Sequence, residues 1–401
     1  MPGPRLKEYL GALYRKHGAL IIIQSLLAVA NTAANSFALI YLIGKGYDYI
    51  ACSVFILISC AVPIFLLLFA AKTVVRNFSA SMNTGLISIM LYYAGLMLLA
   101  DVRLFGGWLV IVFPSMMYGI YIVTFWIPYN TLMMHITSVK ARGATIGVYF
   151  LVWPLITAVG PLLGGLLITG ISWDALFVFA IAMIAVDLFY MSGLRVLGKL
   201  RERMIIPELL QSVTSGILRK EKTSLDFAGV GSRLMYGLFV EGVIDGVFWI
   251  AIPIISFQFA TTVSTLSQYL SLFALWGAIM TVALGYLSDR IKGRRLILMI
   301  GAVLCGASVV FSALSPSVDG YLLGMSLTYF FLAIIPAFLF TMLLDKLERY
   351  KKKGVLLREL LLNVGRTVGV LMTILLLLLD YELMTAVAIT GVLTATIIAV
   401  K

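Results

Sequence analysis

Twelve apolar runs, each near the length that a helix needs to cross a bilayer, follow one another along this chain of 401 residues. Crossing takes about 20 apolar residues, because a helix bonds all of its own backbone polar groups where no water can. The runs fall at 19–43, 49–71, 83–101, 106–130, 143–168, 173–194, 234–257, 264–287, 296–314, 320–344, 361–379 and 383–400, and are called spans 1 to 12. A soluble domain is about half apolar and a quarter charged. Here 62% of residues are hydrophobic and 12% charged, with mean hydropathy +1.06. No soluble fold hides that much apolar surface, so lipid is the expected solvent and membrane lipids the expected surroundings. The expected fold class is all-α: a polytopic membrane protein of twelve transmembrane helices.

An even number of spans puts both termini on one side, and the basic residues choose the side. With the N-terminus cytoplasmic, 28 of the 30 Lys and Arg count to the cytoplasmic side, including Arg366 within span 11; only Lys45 and Arg103 fall opposite. Asp48, Asp101, Asp174, Asp319, Asp380 and Glu382 lie on the outer side. By the positive-inside rule both termini are expected in the cytoplasm and the protein in the cytoplasmic membrane. The net charge of +12 thus reflects basic loops, and no nucleic-acid partner is expected. Residues 5–30 have the order of a signal peptide, with Arg5 to Lys16 basic, an apolar stretch from Ala19 and Ala28-Val-Ala30 as cleavage site. The apolar run continues to Ile43, so the segment reads as a span.

The longest polar interval, 195–233, divides the spans six and six. The expected organisation is an N-terminal bundle over 1–194, a cytoplasmic linker over 195–233 and a C-terminal bundle over 234–401. Within the linker Met204–Leu218 is apolar enough to lie as a helix on the membrane surface. Cys52, Cys60 and Cys305 sit inside apolar runs and read as small core residues. With two histidines, His17 and His135, no metal site or cofactor is expected, and no catalytic constellation or phosphate loop stands out.

Between spans 8 and 9 lies Gly285-Tyr-Leu-Ser-Asp289-Arg290-Ile-Lys292-Gly293-Arg294-Arg295. It resembles the cytoplasmic loop signature of the major facilitator superfamily, roughly G-x-L-a-D-R-x-G-R-R, with one extra residue (Ile291 or Lys292) before the second glycine. In span 5, Gly147, Gly160, Pro161, Gly164 and Gly165 fit the family pattern G-x8-G-x3-G-P-x2-G-G, with Ile156 in place of its second glycine. Glycines let helices approach closely and a proline bends one, so Gly160, Pro161, Gly164 and Gly165 are expected at a bent seam between bundles; ordinary small-residue packing is the plain alternative. The resemblance implies two six-helix bundles working by alternating access: a secondary transporter, monomeric by default, with a small-molecule substrate and proton coupling. The span-5 pattern is associated with drug:proton antiporters, which gives efflux of an amphipathic or cationic compound a mild preference. An uptake permease for a neutral metabolite, and a receptor or sensor on the same fold, are the competing readings.

The resemblance also places residues. The loop between spans 8 and 9 is expected near the start of span 5, with Asp289 capping that helix beside Arg142 and Gly143 and closing the cytoplasmic side. Arg290, Lys292, Arg294 and Arg295 then lie at the headgroups, or simply enforce topology. The matching interval 71–79 has no glycine–acid pair, so the two halves cannot carry equivalent latches.

Buried charge is costly in a bilayer, so intramembrane ionisable residues point to function. Glu241 and Asp245 share one face of span 7. Counted from Arg233, Glu241 lies about 12 Å deep and Asp245 about 18 Å; Arg366 of span 11 lies about 12 Å past Arg358. This predicts a Glu241–Arg366 pair, with Asp245 unpaired and exchanging a proton or binding a cationic group. Lactose-permease-like members are similar in pairing span-7 acids with a span-11 base. Asp187 of span 6 is a weaker candidate of the same kind; span 6 is usually peripheral in this family, which favours packing or a hydrogen bond to a neighbour. Spans 1, 4, 7 and 10 line the cavity in this family, so Asn31, Asn35, Tyr118, Tyr121 and Tyr329 join Asp245 as expected substrate contacts. Span 4 lacks the arginine-centred proton motif of many drug antiporters.

Overall fold

A computed structural model describes the backbone of residues 6–70, 74, 77–101, 107–136, 142–193, 231–287, 294–346 and 351–399. Side chains are described for the same residues except 6–17, 19, 133–136, 142–154, 193, 285–287, 344 and 351–353. The surface helix expected at Met204–Leu218 and most of the linker lie outside this set.

The described residues are almost wholly helical, and none forms a strand. Among the described residues ten helices are long and apolar enough to cross a membrane; two shorter apolar stretches, Leu155–Gly170 and Leu383–Ala399, stand at spans 5 and 12. The backbone helix of span 5 is longer, Arg142–Gly170. Large apolar side chains point outward, including Phe69, Leu166 and Phe189, each at least 70% exposed. In water such a surface would aggregate; in a bilayer it is solvated. The protein is a multi-pass membrane protein.

Polar residues at the breaks start the helices. Asp48, Ser172, Thr262 and Ser317 accept the backbone N–H of the residue three positions on, at 2.7, 3.1, 3.2 and 3.2 Å. They cap spans 2, 6, 8 and 10, satisfying donors a helix start leaves orphaned. Span 10, read from sequence as one run, is two helices: Val318–Leu332 and Ile334–Lys346. The reason is Pro336, which has no N–H to return to the carbonyl of Leu332. Span 11 begins earlier than its apolar run suggests. Its helix is Lys351–Leu378, so Arg358 lies within it.

Spans 1 to 6 pack as pairs 1·5, 1·6, 2·4, 3·4 and 3·6. Spans 7 to 12 pack as 7·11, 7·12, 8·10, 9·10 and 9·12, each pair being the earlier one advanced by six. Across the two sets, span 5 packs on span 8, span 2 on span 11, and the last turns of span 1 (Ala38–Gly44) on span 7. Cys52, Cys60 and Cys305 are buried free thiols, as their apolar settings predict.

Candidate functional site

Spans 7 and 11 touch backbone to backbone. A Cβ added at Gly365 would stand 2.9 Å from the Cα of Gly242, and one at Gly246 would stand 2.8 Å from the Cα of Arg366. Gly242 and Gly246 on one helix, Gly365 and Gly369 on the other, share the spacing of four with which small residues bring membrane helices together. This seam presses the charged face of span 7 against that of span 11.

Two ion pairs bridge the seam. Arg366 Nη2 donates to Asp245 Oδ2 at 2.7 Å and its Nε donates to the same oxygen at 3.2 Å. Arg358 Nη2 donates to Glu241 Oε1 at 3.0 Å, and its Nη1 to Glu359 Oε1 at 3.2 Å. The Glu241–Arg366 pair expected from depth is therefore replaced, and Asp245 is paired. Arg358, counted in sequence as the helix edge, sits two turns inside its helix and takes Glu241 for itself; Arg366 then reaches the deeper Asp245. The ladder holds three carboxylates against two guanidiniums. Glu241 Oε2 is buried with no hydrogen-bond partner among the described residues.

The ladder opens toward the first half of the chain. Arg366 lies with its guanidinium carbon 4.6 Å from the Trp249 ring centroid, and Trp249 meets Tyr118 of span 4 edge to face at 6.3 Å. Asn35 Nδ2 donates to the Tyr118 hydroxyl at 3.4 Å, and the Tyr92 hydroxyl donates to Asn35 Oδ1 at 2.6 Å. A continuous line of polar and aromatic groups thus runs from Asn35 to Asp245 across both halves. Cys60, Tyr118 and Tyr329 lie within electrostatic reach of the Asp245–Arg366 pair. These neighbours come from spans 2, 4 and 10, and 30% of the Asp245 side chain is left accessible. Glu241, at 6%, is closed off.

Of the expected substrate contacts, Asn35, Tyr118, Tyr329 and Asp245 come together here. Asn31 and Tyr121 lie deeper in the first half. Tyr93 donates to Asn31 Oδ1 at 2.9 Å, while Asn31 Nδ2 and Trp126 Nε1 donate to the Tyr121 hydroxyl at 2.9 and 3.0 Å. Their polar atoms are engaged with one another. Trp249, Tyr92 and Arg358 were missed in the sequence. Trp249 had a usable signal, since it stands one turn beyond Asp245 on the same face of span 7.

In span 5, a Cβ at Gly160 would meet Thr32 Cβ at 2.6 Å and one at Gly164 would meet the Phe37 ring at 2.7 Å, both on span 1. A Cβ at Gly165 would meet Ser267 Cβ of span 8 at 2.5 Å. Gly160 and Gly164 make the same spacing-of-four seam with span 1 that Gly365 and Gly369 make with span 7, at the corresponding pair of helices. Pro161 lies inside a continuous helix. Of the expected gate, Asp289 and Arg290 lie outside the described residues; Arg142 and Gly143 begin the span-5 helix but their side chains lie outside them. Arg294 of the same loop is described, and donates to Asp345 at 2.9 Å.

Residues 234–401 match the family model described as Major Facilitator Superfamily. The matched residues are spans 7 to 12, somewhat under half of the chain. The likeness to solved structures covers nearly the whole chain. A POT family transporter solved with a thioalcohol-conjugated peptide superposes on this chain with TM-score 0.70 at 10% identity, covering 96% of this chain and 94% of that one. The human organic anion transporter MFSD10 gives 0.67 at 16%, covering 97% and 99%. The E. coli fucose:proton symporter FucP gives 0.65 at 14%, covering 96% and 97%. At such identities the likeness establishes the fold alone. A search of curated proteins finds no match.

Proposed function

We propose that this protein is a facilitator-superfamily transporter: a proton-coupled secondary transporter of a small solute, working by alternating access in the cytoplasmic membrane with both termini cytoplasmic. The observation that carries the reading is the Asp245–Arg366 pair, held mid-membrane with part of Asp245 accessible and with Trp249 and Tyr118 beside it. Three acids against two guanidiniums leave one negative charge uncompensated, which is costly in a span and favours binding one proton. Asp245 is the accessible end of the ladder, where a proton arrives; Glu241, with an unpartnered oxygen, is where the excess charge lies.

A proton on Asp245 and a cationic group of a solute compete for the same carboxylate, and either one displaces Arg366. Competition of this kind is the logic of antiport, and it keeps efflux of an amphipathic or cationic compound as the preferred direction. Asn35, Tyr118, Tyr329 and Trp249 would contact the solute, with Asn31 and Tyr121 supporting them from behind. Asp289, Arg290, Arg142 and Gly143 would form the cytoplasmic gate, and the glycine face of span 5 the seam on which the halves rock. FucP is named as a symporter, which supports proton coupling and favours the second reading, uptake together with a proton.

The test is flux in proteoliposomes with a pH dye inside. A lipophilic cation, a dipeptide, a neutral sugar and an aromatic carboxylate are offered under pH gradients of either sign. Solute-dependent proton movement that disappears in Asp245→Asn supports the proposal, and its sign separates antiport from symport. Solute flux without proton movement under either gradient overturns the coupling. Binding without flux for every probe points to a receptor.

A further inference from the structure

Asp187 is a second intramembrane acid, and nothing in the ladder uses it. It lies on span 6 (Trp173–Gly193), on the buried face with Phe177, Ala180, Ile184 and Met191. Its residue is 0% exposed, and neither carboxyl oxygen has a hydrogen-bond partner among the described residues. It stands 14 residues into its helix, about 21 Å from the start. Spans 1, 3 and 5 pack against span 6, and their described side chains include no Lys, Arg, His, Asp or Glu. The same holds for the described side chains of span 4. The described titratable groups on these elements are Tyr41 near the outer end of span 1, where its ring packs on Trp173 and Phe177, Tyr92 and Tyr93 on span 3, and Tyr118, Tyr121 and Tyr129 on span 4; span 6 itself carries Asp174 in its first turn and Tyr190. Tyr121 is within electrostatic reach of Asp187, with its hydroxyl engaged by Asn31 and Trp126.

A carboxylate is not kept ionised in such a place, with no donor and no cation among the described side chains. A neutral acid fits, but its O–H and C=O remain unmet. An apolar side chain would pack this seam at lower cost, so a buried acid with both oxygens unmet needs an explanation outside this arrangement. In a fold whose halves rearrange, a second arrangement that brings water or donors to the acid supplies one.

We propose that Asp187 is a proton-binding site in the first half of the chain. It holds its proton in the arrangement described here and releases it when span 6 shifts against spans 1 and 3. In the release the O–H bond breaks heterolytically, the proton passes to water, and the carboxylate keeps the electron pair. The site is distinct from the Glu241–Asp245 ladder and is tested without any solute.

Infrared difference spectroscopy of the full chain in lipid, with Asp187→Asn and Asp245→Asn beside it, reads the site directly. The expected result is a protonated-carboxyl carbonyl band at neutral pH. It is absent in Asp187→Asn, kept in Asp245→Asn, and lost reversibly between about pH 6 and about pH 10, the range to which burial can raise a carboxyl. Asp187→Glu should restore a shifted band, which separates loss of the acid from loss of the fold. Absence of any band sensitive to Asp187 overturns the proposal. So does a band unchanged over the whole pH range, since a permanently trapped proton is not exchanged.

Discussion

Arg366 and Trp249 face each other at 4.6 Å, while Asp245 holds the same guanidinium through two N–H donors. A planar cation stacked on an indole and bonded to a carboxylate uses properties that lysine lacks. Arg366→Lys is expected to keep the charge and lose the stacking, about 2 kcal/mol in a desolvated setting. Transport should fall on the order of 10-fold or more at equal membrane abundance, and Trp249→Leu should show a similar loss. Undiminished flux in both variants would mean the stack is only packing.

Arg358 stands between two acids, Glu241 and Glu359. Removing it leaves both buried beside each other. Arg358→Ala should destabilise the fold by about 3–5 kcal/mol, the usual result of breaking a buried pair from one side. Adding Glu241→Gln should recover part of the loss, because it removes one of the stranded charges. Thermal unfolding in detergent reads both; a double variant less stable than the single one would refute the charge argument.

The glycine seam between spans 7 and 11 is expected to tolerate nothing larger. In Gly246→Val the first added carbon already meets the Arg366 backbone, which cannot move aside as a flexible side chain would. A loss of several kcal/mol, or no folded protein, is expected, since overpacking costs about 1–3 kcal/mol even where side chains can adjust. Gly277→Ala is the control. Its nearest neighbour would be 3.4 Å away, at the Tyr329 carbonyl, and its melting temperature should barely change.

Gly165 and Ser267 meet where spans 5 and 8 cross between the halves. Cysteines at both positions need only about 1 Å of relaxation to reach disulfide geometry. Oxidation should arrest transport and reductant restore it. Full flux by the oxidised form would show that this crossing does not open during the cycle.

Lys45 and Asp101 form an ion pair at 2.7 Å, with the carboxylate largely exposed. The hydrogen bond to Asp101 raises the Lys45 ammonium above its ordinary range. Its contribution is therefore present at neutral pH and lost only as alkaline solution deprotonates the lysine. Because exposed pairs are weak, Asp101→Asn should leave the melting temperature unchanged within error near neutrality.

The spans were legible because bilayer thickness imposes a length that apolar runs display directly. Span 11 was the exception. Lys351, Lys352, Lys353 and Arg358 made its first turns look like a loop, so the start of its helix was placed too late. Arg358 is itself inside the site, so depth measured from it pairs Glu241 with Arg366 instead of with Arg358. Pro336 was visible, but its effect depended on whether the helix would bend or divide. The seam between Gly242, Gly246, Gly365 and Gly369 was present as two ordinary spacings of four. Which pair of helices would use them is a tertiary fact, as is the choice of Asn35 and Tyr118 over Asn31 and Tyr121 beside the ladder.

The contact between Gly242 and Gly365 places the three acids and two guanidiniums of spans 7 and 11 on a single stiff piece. Such a piece carries its charge as a block when it moves. Unprotonated, the block bears one net negative charge; with one proton it bears none. A membrane potential acts on a moving charge with about 2.3 kcal/mol per 100 mV. Electrogenicity should then be confined to the half-cycle in which the block travels without its proton, and voltage should alter the rate of that return alone.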